Sequence, residues 1–380
     1  EYRRQRQMCI RDSLSTAQIA ALVTAQLPSL STLQLRALSE YQIASIETSD
    51  LAMLTATQVK ALTTAQIEVL GVEQIEALTT SQVSILTTAQ LRVLSASQLG
   101  GITTVQAAGL TIVQLPAIDV SQIISVETED LAVLSTLQIR AFSATQVGTM
   151  SAAQWQAFRT DQIRALQTSQ IRALSANQIN SLEDEQFASM TVSQLNSLKS
   201  TQLASLSADR VASLSTTQIA TLPASLLSAF SVDQLNALGT AHYASLNTAQ
   251  VRALDPIMMS QLDTASLAAL GTVQIQAITT AQIQRLSNAQ VAGLATQQVR
   301  VLSATQFKTL DAGQIAALAT DQVAVVTAAQ LASLGTVQIA SIEVADWEAL
   351  STASLRAIGT QQVRSITNEQ VAALTTAQTR

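Results

Sequence analysis

Apolar side chains recur in a fixed eight-residue frame. With Ser15 as position 1, position 5 is apolar in every unit except the last, at Thr379, and position 8 is apolar in all 45 complete units between residues 15 and 374. A strand places residues an even number apart on one face, so a pair three apart reads as helical. In one continuous helix, at about 100° per residue, an eight-residue step would rotate that pair by about 80°, and no lasting stripe would form. The frame therefore predicts one short helix per octad instead of a rod or a coiled coil.

Each octad carries its own start signal. Position 1 is Ser, Thr, Asp, Asn or Gly in 35 of 46 units and position 4 is Gln in 37, which is the pattern of a capping box. Position 8 of one unit and position 5 of the next stand where a hydrophobic staple joins them across the cap. Asp255-Pro256 suits a cap followed by the first helical residue. Charge agrees with separate helices: within the frame, 21 of 24 carboxylates lie at positions 1 to 4 and 12 of 16 bases at position 6. Pro28 and Pro116, both at position 6, predict irregular helix ends there.

Segments of six or seven residues, about 10 Å long, are too short to be stable alone. They must stack. Position 7, mostly Ala, Ser or Gly, lies opposite the bulky positions and admits a neighbouring backbone, while position 6 points to water. The expected fold is an all-α solenoid, a single array over residues 15–380 of 45 complete repeats and a partial one. Composition fits a thin aliphatic core: 48% of residues are hydrophobic and only 3% aromatic. No apolar run reaches the ~18 residues of a membrane span.

Residues 1–14 lie before the frame, and 1–13, EYRRQRQMCIRDS, resemble translated sequencing-adapter readthrough. A short basic arm for an acidic partner is the alternative. The missing initiating Met and the unfinished last octad mark the chain as a fragment of something longer, so an absent signal peptide is uninformative. Cys9, the one cysteine, falls in that leader and leaves the array free of thiols.

Little departs from the frame in a way that suggests chemistry. His242, the sole histidine, takes the Gln place and lacks the companions a metal ligand needs. No second histidine, nucleophile constellation or Gly-rich phosphate loop is present. Three octads pair acids at positions 1 and 4: Glu47 with Asp50, Glu127 with Asp130, Glu343 with Asp346. They offer too few oxygens for calcium, and are read with Asp replacing Gln as the acceptor at a helix start. Trp155 and Trp347, at position 5, read as core. Arg164 and Arg172 extend a position-6 column of bases, but the repeats carry more acids than bases, which argues against nucleic acid. No catalytic, cofactor-binding or metal residue is expected, and the chain is read as no enzyme.

The octad Leu-(Ser/Thr)-Thr-Ala-Gln-(Ile/Val/Leu)-x-Ala resembles the short Thr/Gln/Ile-rich tandem repeats of very large bacterial surface or secreted proteins, described as adhesin-like. The resemblance covers residues 15–380 and implies an extracellular spacer or adhesive stalk, presenting its surface to a protein or glycan. An intracellular helical-repeat scaffold for proteins or peptides is the alternative.

Overall fold

In the computed structural model the described residues are 14–22 and 26–380. The leader 1–13, with Cys9, lies outside them. The chain is an all-helical solenoid of short helices, with no strand among the described residues. It divides into two compact units, Glu1–Ser197 and Leu198–Arg380.

Within each unit the local rule is the same. Helices of four to six residues, such as Thr32–Ala37 and Thr80–Ile85, start after position 1 and end before position 8. The residues at positions 8 and 1 are extended: Leu86 has φ −52° and ψ 133°, and Thr87 has φ −71° and ψ 157°. Two extended residues thus turn the chain between helices. No described residue has positive φ, glycine included, so the turn asks nothing that an ordinary L residue cannot give.

Side chains fix these turns. Thr79 Oγ1 accepts the Gln82 N–H at 3.3 Å, and the Thr79 N–H is accepted by Gln82 Oε1 at 2.7 Å. At Gly71 the hydroxyl half is missing but Gln74 Oε1 still takes the Gly71 N–H. Asp255 Oδ1 accepts from Ile257 and Met258 around Pro256, which occupies the first helical position. At Pro28 and Pro116 the helix shrinks to a three-residue 3-10 turn, Leu27–Ser29 and Leu115–Ala117, because the ring cannot donate into a longer one.

Packing is not between sequence neighbours. In the first unit Thr32–Ala37 packs on Ala56–Ala61 and Ala144–Thr149 on Thr168–Ala173; in the second, Ala304–Lys308 packs on Ala328–Ser333. Within each unit a helix meets the one three octads away, while a position-4 glutamine reaches the octad four away. Each unit therefore coils with about three and a half octads, 28 residues, per turn. Positions 5 and 8 fill the inside of the coil: Ile43, Val83 and Trp155 are fully buried, as are Phe230, Tyr243 and Trp347. Position 7 is small because the preceding turn passes there. A Cβ on Gly101 would collide with the Val72 methyl, and the Ser45 hydroxyl donates to the Thr16 carbonyl at 3.3 Å.

Candidate functional site

The glutamine column is the most constrained feature of each unit. Gln82 is 2% exposed. While its Oε1 caps its own helix, its Nε2 donates to Leu54 O at 2.6 Å, Ala52 O at 3.1 Å and Leu51 O at 3.2 Å. Those carbonyls belong to the end of a helix one turn back, where the last C=O groups lack partners within the helix. One amide closes the start of one helix and the end of another. The same bonds recur at Gln114 to Leu86 and Val83, at Gln162 to Leu134 and Leu131, and in the second unit at Gln282 to Leu254 and Val251. The capping pattern in the sequence identifies the Oε1 half of this arrangement; the Nε2 half has no local signature.

His242 sits in this column as a substitute glutamine. Its Nδ1 accepts the Gly239 N–H at 3.1 Å and its Nε2 lies 2.7 Å from Leu214 O, 28 residues earlier. With the proton on Nε2, the imidazole reproduces both functions of the amide.

The acidic octads differ from the reading that Asp replaces Gln as the cap acceptor. Asp50 and Asp130 are buried, yet neither makes a hydrogen bond to the start of its own helix, and Glu47 and Glu127 supply no side-chain cap. Asp is one methylene shorter than Gln, and an ionised carboxylate has no proton for the carbonyls one turn back. Asp346 finds a donor instead: Thr320 Oγ1, at 2.7 Å. Asp130 borders a small apolar cavity of about 20 Å³ lined by Ala107, Leu115, Ile118 and Phe142. Ala107 is the one alanine at position 5, and its missing methyls leave that space. Burial first, then the charges of Glu127 and Glu129, push the Asp130 carboxyl up to about 6.

The two tryptophans are core residues. Trp155 meets Phe158 of the same octad edge-to-face at 5.0 Å, and neither Trp155 Nε1 nor Trp347 Nε1 has a hydrogen-bond partner. The position-6 bases Arg164 and Arg172 are exposed at the ends of their helices. No group of three or more metal-ligating side chains occurs among the described residues, and no described helix is long and apolar enough to cross a membrane.

A family model of the ALTTAQ repeat matches residues 43–80, 123–160, 156–192, 259–296 and 339–376. The chain is a tandem-repeat protein. No curated protein matches it. The six letters occur verbatim at Ala61–Gln66 and Ala373–Gln378. In the structural frame they run from position 7 to position 4, across the hand-over between two helices. An ALTTAQ segment thus holds the small residue that admits the preceding turn, the core leucine, the capping threonine and the bridging glutamine. These are packing roles, and the matched stretches describe a structural repeat module.

Proposed function

We propose that the chain is a non-catalytic spacer of a larger bacterial surface or secreted protein, holding other parts of that protein at a distance and offering its repeated outer positions to a protein or glycan. The observation that carries this reading is the double use of each column glutamine. In Gln82, Gln162 and Gln282 the Oε1 closes the start of its own helix while the Nε2 ties that helix to the preceding turn of the coil, which suits a module whose task is mechanical continuity. Variation is left to position 6, outside the core. Immunogold labelling of intact source cells with antibodies against the repeat tests it. Label is expected on intact cells, and its distance from the envelope should shrink when blocks of two turns are removed from the gene. Label seen only after permeabilisation would reject surface placement and favour the scaffold reading. An unchanged distance would reject the spacer role.

A further inference from the structure

Hydrogen bonds between turns join residues 25 to 31 apart, as in Arg252 to Ala277, Gln167 to Arg140, Ser245 to Thr216 and Gln234 to Leu203. A turn is therefore 28 residues, and a residue's place along that turn gives the side of the coil on which it stands. In the unit Leu198–Arg380, measured from Arg252, Lys308 and Arg364 lie two and four whole turns on, at the same place. Arg300 and Arg356 lie eight residues short of it. All ten carboxylates of the unit fall three to thirteen residues past it, with Asp233, Asp321 and Glu348 nine to thirteen past, a third to nearly half of a turn away. The five bases of the strip are exposed, and so are those three acids. Of the unit's other bases, Lys199 and Arg285 fall three and five residues past it, among the first of the carboxylates, and Arg210 and Arg380 fourteen and sixteen past.

The unit Glu1–Ser197 sorts its charge independently in the same way. Arg36 and Arg92 are two turns apart, Lys60 and Arg172 are four turns apart and four residues short of that line, Arg140 is eight short, and 13 of its 14 described carboxylates lie four to fourteen residues past it, where Arg159 is the one base; Arg164 lies sixteen past. The exception, Asp119, checks the turn length. Its carboxyl is held below the usual range first by hydrogen bonds from Ser121, and also by the charge of Arg92, one residue short of a turn away.

We infer that the chain binds further copies of itself side by side, the basic strip of one coil against the acidic strip of the next. Charge complementarity supports a second copy over any other partner because both strips inherit one axial repeat. Stacked helices advance roughly 8–10 Å per turn, so cations along one coil and anions along its neighbour both fall close to whole multiples of the same step. Single exposed pairs are weak, but a strip aligns several at once. Because the strips occupy different sides of one coil, a bound copy still presents its own unused strip, and association is open-ended instead of stopping at a dimer. The inference is independent of where the protein resides.

Sedimentation equilibrium of the full chain tests it. At about 0.01 M salt, where charges reach roughly 30 Å, the weight-average mass should climb with concentration above that of the 40.1 kDa chain, and at about 1 M salt, where they reach roughly 3 Å, it should return to it. The reversal R252E/K308E/R364E should abolish association, as should D233K/D321K/E348K, and mixing the two variants should restore it. If either triple reversal loses its helical circular dichroism, the corresponding Gln or Asn triple replaces it, with loss of association expected. A chain that stays monomeric at low salt, association that survives both reversals, or a mixture that remains monomeric overturns the proposal. Heparin binding by a chain that does not self-associate would overturn it too, by assigning the strip to a polyanion.

Discussion

Gln82 donates its side-chain N–H to the carbonyl of Leu54, 28 residues earlier, at 2.6 Å. The same amide accepts from Thr79, so the acceptor caps and the donor ties turns together. Substitution separates the two. Gln82→Glu keeps an acceptor of nearly the same shape but sets a carboxylate against three carbonyls. Gln82→Ala removes both halves and should cost about 2–4 kcal/mol, a cap plus a buried orphan carbonyl. Gln82→Glu should cost at least as much in urea unfolding at pH 7. If it were within about 0.5 kcal/mol of wild type, the glutamine would be only a cap.

The imidazole of His242 spans Gly239 and Leu214 as an amide would. His242→Gln should therefore leave the melting temperature within a degree or two of wild type or raise it, whereas His242→Ala should lower stability by about 1–3 kcal/mol. Calorimetry showing both variants equally destabilised would mean that the ring is held by something other than this pair of bonds.

Asp130 predicts a pH dependence of definite sign. Its folded carboxyl titrates at about 6, above the ordinary value near 3.9. Its contribution is thus most favourable below about pH 4 and is lost as pH rises through about 6. Asp130→Gln, which restores the amide, should gain about 1–3 kcal/mol at pH 7.5 and distinctly less at pH 4.5. Equal gains at both pH values, measured by urea titration, would show that the buried carboxyl does not change protonation there.

The space beside Ala107 should accept a larger side chain. Ala107→Val restores the branched residue usual at position 5 and should stabilise the first unit by about 0.5–2 kcal/mol. A destabilised variant in thermal melts would show that the cavity walls have already closed on the alanine and leave no room.

Positions 1, 4, 5 and 8 were legible from the chain alone because each acts within a few residues, Thr79 on Gln82 and Leu78 just before the Thr79 cap; position 7 was legible because its side chains are small in most octads. The partner of a glutamine's Nε2 was not legible. Its carbonyl lies 28 residues away, three and a half octads, so position 4 meets position 8, and an eight-residue frame carries no mark of that pairing. The buried Asp octads misled for a related reason. A capping account explains any acceptor at position 4, and only the missing donor one turn back shows what Asp130 lacks.

The half-integral turn has a consequence for how such a gene can change length. Unequal recombination between near-identical octads adds or removes whole repeats without disturbing the cap, because no link between helices needs a special residue. Losing one octad, however, swings everything downstream through more than a quarter of a circle, and exchanges which copies of position 6 stand side by side. Only a change of seven octads, 168 nucleotides, brings every later side chain back to its original bearing. Drift in repeat number is thus harmless to folding while it reshuffles the outer surface.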